Sequence, residues 1–269
     1  MGPGEDGGTE VPTDSGVVDA GAQQDAGGDQ DAGVEVDAGV SDAGTEPDAG
    51  VADAGEVDAG IADAGPMGPR AGYGVISGDC GPLSLIDLHS PLPSTYENRI
   101  DFEMMNFDAG ALSDGGFTMF NTPNAGGSSG NSEVFAFEVL HRCEFAELAA
   151  TETQVTYTPP GSKKTDIVVN IEGEIVGVSV ARAFKYPPGT PLPVADARNL
   201  LNGKFSDIQV STQNVNPPWQ WNKQILHVLA YDDVAKQAVI DAAAQIDAGV
   251  RGDTILFITT TDGNDAFIY

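Results

Sequence analysis

The residues best suited to chemistry fall in one stretch, Ser132 to Phe184. Set on a helical wheel, Glu133 to Ala150 brings Phe137, Leu140, Cys143 and Leu148 to one side, with Glu144 and Glu147 among them. Burying an uncompensated charge is costly, so carboxylates on an apolar face need a partner or a purpose. Asp166 opens the apolar run Ile167-Val168-Val169, and Arg182 closes Val178-Ser179-Val180-Ala181-Arg182. Lys163, Lys164, Arg182 and Lys185 form the densest basic group in the chain. Acids and cations gathered this way suit two arrangements. One gives the acids a purpose at a functional site. Alternatively, Glu144 and Glu147 pair with Arg142, Arg182 or Lys185 in a structural ion cluster, and Asp166 caps the turn into its strand.

Other side chains are less specific. Ser179 reads as a small strand residue, because neither His141 nor His227 can be placed beside it as a base. The histidines, His89, His141 and His227, lack metal spacing, and His227 in Leu226-His227-Val228-Leu229 reads as a hydrogen-bonded core residue. Trp219 and Trp221 share one face of an extended segment, where they close the edge of a core or stack on a base or sugar. The Gly-rich loop Asn124 to Asn131 precedes a helix, as phosphate-cradling loops do, but no Lys follows at the spacing such loops use. Arg251-Gly252-Asp253 reads as a turn.

The elements that must position these groups follow from pattern. Asn131 or Ser132 caps a helix running to Ala150. Strands follow at 154–158 and 165–171, then the tight turn Glu172-Gly173, then a strand at 175–184. A short helix over 195–201 stops at Gly203, with strand-like sequence at 207–212. Residues 224–230 form an apolar strand, Asp232 caps a helix whose Val234, Ala238, Ala242 and Ile246 share a face, and 254–259 form the last strand. Upstream, 96–107 and 117–120 read as strands. Strand, helix and strand with apolar strands imply a parallel pair covered by helices. The fold class is therefore α/β, a mixed central sheet flanked by helices in the order α-β-β-β-α-β-α-β. The domain spans 71–269, with a loop-rich lead-in at 71–131 and a core at 132–260.

Ahead of it lies a different kind of sequence. The chain carries 12 basic and 41 acidic residues, and 17 of the acids fall in residues 1–66, which hold no Lys or Arg. Asp-Ala-Gly occurs nine times there, every five or six residues, without an aromatic side chain. Such a stretch cannot bury enough apolar surface to offset its ordering entropy, so residues 1–70 read as a disordered, self-repelling acidic linker. The spacing does not match calcium loops, which place acids two apart. These triplets resemble the linkers that tether folded domains of bacterial surface lipoproteins, which implies a cell-surface or secreted protein held by an envelope tether. Met1-Gly-Pro-Gly-Glu has neither a basic n-region nor an apolar h-region. Either the start lies too far downstream or the protein is cytoplasmic. Cys80 and Cys143 are one loop thiol and one helix-core thiol, or a single bridge in an oxidising compartment.

The order of elements, with an acid on the first helix, Asp166 on the second strand and Val178-Ser179-Val180-Ala181-Arg182 on the third, resembles the PD-(D/E)XK phosphodiesterase fold of restriction enzymes and junction resolvases. The resemblance covers about residues 132–260. It implies magnesium as cofactor, held by Asp166 with Glu147 or Glu144, and hydrolysis of a phosphodiester. Lys163, Lys164 and Lys185 would form the basic rim that meets the phosphate of a nucleic acid, the partner the resemblance implies. Ser179 stands where the family has Glu, and Ala181 where it has Lys. Arg182 lies one residue on, able to clamp a phosphate but a poor proton acceptor. The resemblance is therefore to a degenerate member with at most weak metal-dependent activity. The reading from another class is a non-catalytic binding or display domain on an acidic spacer.

Overall fold

The computed structural model describes residues 69–123 and 130–269. The reading of residues 1–70 as a linker thus falls almost wholly outside the described residues, as does most of the Gly-rich loop.

The strands that read as unbroken apolar runs are the centre of the sheet. β5 (Glu174–Ala183), β6 (Lys223–Ala230) and β7 (Ile255–Asp262) are buried along nearly their whole length. This is the signature of strands covered on both faces. They pair parallel to one another, and β2 (Thr95–Asp101) extends the parallel set beyond β7. β1 (Val75–Gly78) adds antiparallel to β2 at one edge. At the other edge, β4 (Ile167–Ile171) and β3 (Glu147–Thr151) add antiparallel to β5 and to each other. Among the described residues the mixed sheet has seven strands in the order β1-β2-β7-β6-β5-β4-β3.

Alternation along each strand divides the core in two. On one face, Val178 and Val180 of β5, Ile225 of β6 and Phe257 of β7 pack with Phe137 and Leu140 of helix α3 (Gly130–Cys143). On the other, Ala181, Leu226, Val228 and Ile258 pack with α4 (Val194–Asn214) and α5 (Asp233–Ala243). Asp232 caps α5 by accepting the Ala235 amide at 2.7 Å, as its position ahead of an apolar period implies. The short helices α1 (Leu85–His89) and α2 (Asp114–Asn121) have serine caps, Ser84 and Ser113. A single turn, α6 (Ala248–Arg251), precedes β7. From α3 onward the order is helix, three strands, helix, strand, helices and strand.

Several local expectations are corrected. The helix expected to reach Ala150 ends at Cys143. Phe145 turns the chain at φ 53°, and Glu147–Thr151 becomes the edge strand β3. Leu148-Ala149-Ala150 favours helix locally, but pairing with Val168 and Val169 of β4 overrides that preference. Residues 117–120 lie in α2 rather than a strand, because the Ser113 cap nucleates a helix there. Gly203 does not stop a helix. α4 runs through it to Asn214 and absorbs 207–212, because Leu201, Phe205, Ile208 and Ser211 repeat at helical spacing and bury one face. Of 154–158, Tyr157 makes an isolated bridge to Val215. β2 ends at Asp101, short of the strand expected over 96–107, and Val234 is exposed rather than inward-facing.

Candidate functional site

Asp166 immediately precedes β4. Its backbone N–H donates to Val178 O at 3.1 Å, and its Oδ2 accepts the Val180 N–H at 2.6 Å. The side chain thus continues the β4–β5 ladder by one rung. Burial pushes this carboxyl above its ordinary range, against the nearby Lys204 charge and the Val180 amide.

Asp166 also lines a cavity of about 160 Å³ between α2, the start of α3 and the end of β3. Two carboxylates not singled out in the sequence line it as well, Glu133 in the first turn of α3 and Glu152 just after β3. An acid in a first helical turn ordinarily complements the helix dipole, and that everyday role hid Glu133. Glu152 lies 3.9 Å from Lys164 Nζ.

The acids expected to join Asp166 lie elsewhere. Glu144 follows the last turn of α3, eleven residues beyond Glu133, or about 16 Å of helical rise. It is buried and accepts the Leu83 N–H at 2.8 Å. Burial pushes it up to about 8, opposed by the Leu83 amide and reinforced by the charges of Asp87 and Asp79. Glu147 is exposed at the start of β3 opposite Asn170, whereas Asp166 adjoins the other end of that pair, where Thr151 faces Ile167. Neither glutamate lines the Asp166 cavity.

β5 separates the remaining positions by face. Ala181 packs toward α4, and Ser179, two residues before it, shares that side. Val180 packs toward α3, and Arg182, on the same side, donates through Nη1 to Ile268 O at 3.1 Å. His227 pairs in register with Val180 and is fully buried. It bonds Thr259 Oγ1 at 2.7 Å, and burial pushes it down to about 3. This is the core histidine the sequence suggested.

The expected phosphate-binding lysines all face carboxylates. Lys163 meets Asp207 at 3.0 Å, Lys185 meets Asp196 at 2.7 Å, and Lys164 meets Glu152 as above. Arg142 takes no expected glutamate. It is buried and donates to Arg70 O, Tyr73 O and Gly74 O, pinning the lead-in segment to α3. Trp221 is buried and donates to Thr212 Oγ1 at 2.9 Å, while Trp219 packs beside it, so the pair closes a core edge. Cys80 and Cys143 form a disulfide.

A magnesium ion needs several oxygens converging on it. Asp166 holds one oxygen on a ladder amide, Glu144 and Glu147 are remote from it, and Ser179 and Ala181 bring no carboxylate. Among the described residues no three of His, Cys, Asp and Glu could hold a metal ion together. The residues do not fit the implied metal, and we derive no step through it. Among the described residues no helix is long and apolar enough to cross a membrane.

No family model matches the chain, and no solved structure matches it. The chain is similar to the AAC-rich mRNA clone AAC4 protein of Dictyostelium discoideum, 36% identical over 167 residues. That likeness covers 59% of this chain and 24% of the relative, so the chain spans about a quarter of the relative's length. The organism is not a bacterium, so the likeness lends nothing to the bacterial origin suggested by the Asp-Ala-Gly triplets.

Proposed function

We propose that this is a non-catalytic α/β display or binding domain with a nuclease-like order of elements, carried on an acidic spacer outside the reducing cytosol. The observation that carries the reading is the use of Asp166. The side chain that would anchor a metal instead completes a ladder rung with Val180 at 2.6 Å. The Cys80–Cys143 disulfide supports an oxidising compartment, since such bridges are rare where thiols are kept reduced. The nine Asp-Ala-Gly triplets support a spacer role.

The test is an assay of the purified full chain on DNA and RNA with magnesium or manganese, beside Asp166→Ala. No cleavage above background in either protein is expected. Cleavage by the parent that Asp166→Ala abolishes would overturn the reading in favour of a phosphodiesterase. Thiol counting on protein recovered from its native source tests the compartment, with oxidised cysteines expected.

A further inference from the structure

The residues after β7 lie over the carboxyl ends of β5, β6 and β7, the side on which open α/β sheets bind ligands. None of residues 264–269 belongs to a strand. They form one turn, with the Ile268 N–H on Asp265 O at 2.9 Å and the Asn264 N–H on Glu103 O at 2.9 Å. Side chains from other elements take the next carbonyls. Asn131 Nδ2 donates to Phe267 O at 2.8 Å, and Arg182 Nη1 donates to Ile268 O.

Three side chains of the turn pack against other elements. The Phe267 ring lies 5.1 Å from both Phe102 and Phe135, and Ile268 is buried. The Tyr269 ring lies 5.0 Å from Phe184 and 5.2 Å from Tyr231. Its hydroxyl is 2.9 Å from Thr261 Oγ1. Thr261 gives its own proton to Asp265, so the tyrosine hydroxyl is the donor in that contact. Carbonyls gripped by side-chain donors, with Phe267, Ile268 and Tyr269 packed into one apolar cluster built by other elements, describe a ligand in a groove.

We propose that this is a peptide-binding groove filled in cis by residues 264–269, and that the same segment of a second copy can replace it. The inference does not rest on the proposed function. The recognised ligand is a turn bearing aromatic, aliphatic and aromatic side chains in succession, which the chain itself supplies. Gly263, at φ 75°, joins the segment to β7 and provides the pivot. Exchange of an identical element between copies forms no new kind of contact, which is why it is a low-cost route to association. In dilute solution the tether favours the cis occupant through its high effective concentration.

Two full-length variants test this. Phe267→Ala with Tyr269→Ala keeps the groove and empties the segment, while Asn131→Ala with Arg182→Gln keeps the segment and weakens the groove. Light scattering should find each alone as a monomer and an equimolar mixture as a one-to-one complex. A mixture that stays monomeric overturns the proposal. Hydrogen exchange on the unaltered chain needs no variant to fold. The Asn264 and Ile268 amides should exchange at least about tenfold faster than those of β6 and β7. Exchange of those two amides only with the whole sheet would overturn it equally.

Discussion

The Leu83 amide donates to the buried carboxyl of Glu144 at 2.8 Å, and the other charges facing that carboxyl are those of Asp87 and Asp79. Glu144 therefore keeps its proton to about 8 when folded, but releases it near 4.5 when unfolded. The folded state holds the extra proton between those values, so this group's contribution to stability is full below about 4.5 and declines as pH rises toward 8. Each tenfold difference in proton affinity is worth about 1.4 kcal/mol, so the decline is of the order of a few kcal/mol. Urea midpoints across that range should fall for the parent and flatten for Glu144→Gln. An equally steep fall in the variant would show that other groups set the dependence.

Asp166→Ala removes the acceptor for the Val180 amide. Leaving that buried donor unpaired should cost about 1–3 kcal/mol, read as a lower denaturation midpoint with faster exchange at Val180. Glu147→Ala, on an exposed strand end, should change stability by no more than about 0.5 kcal/mol. Equal effects from the two would contradict their separate placement.

Gly203 lies inside α4 on its exposed side, and a Cβ there would meet nothing within 4 Å. Gly203→Ala should therefore stabilise the domain by about 0.5–1 kcal/mol through helix propensity and a less flexible unfolded chain. Thermal unfolding checks this. A lower midpoint would mean that the helix needs the glycine after all.

The Cys80–Cys143 bridge links residues 63 apart in sequence. A closed loop of that length corresponds to about 4 kcal/mol in the chain-entropy model. Cys80→Ser with Cys143→Ser should lower stability by an amount approaching that, and reductant should then have no further effect on the variant. Reductant that leaves the parent's midpoint unmoved would sink the prediction.

The parts of the fold legible in the sequence were those fixed by local pattern. β6 and β7 read as apolar runs because both faces are covered, Asp232 announced α5, and Glu172-Gly173 takes the left-handed values, φ 53° and 87°, that its tight turn needs. The end of α3 was not legible, since only pairing with β4 turns Leu148-Ala149-Ala150 from helix formers into a strand. The site was hidden for the same reason. The partner of Glu144 is an amide 61 residues earlier, and no periodicity points to it. Glu133 and Glu152 lie on either side of the misread segment and meet at a cavity only after β3 folds back.

Among the described residues β3 is the outermost strand at its end of the sheet, and its pairing with β4 slips between Leu148 and Ala150. A bulge there, with the charged Glu147 at its start, makes a poor template for another chain's backbone. Copies crowded together should therefore resist stacking into fibrils along this border. The exposed Glu147 adds a charge at the start of this border, one of the means by which proteins keep sheet edges from pairing.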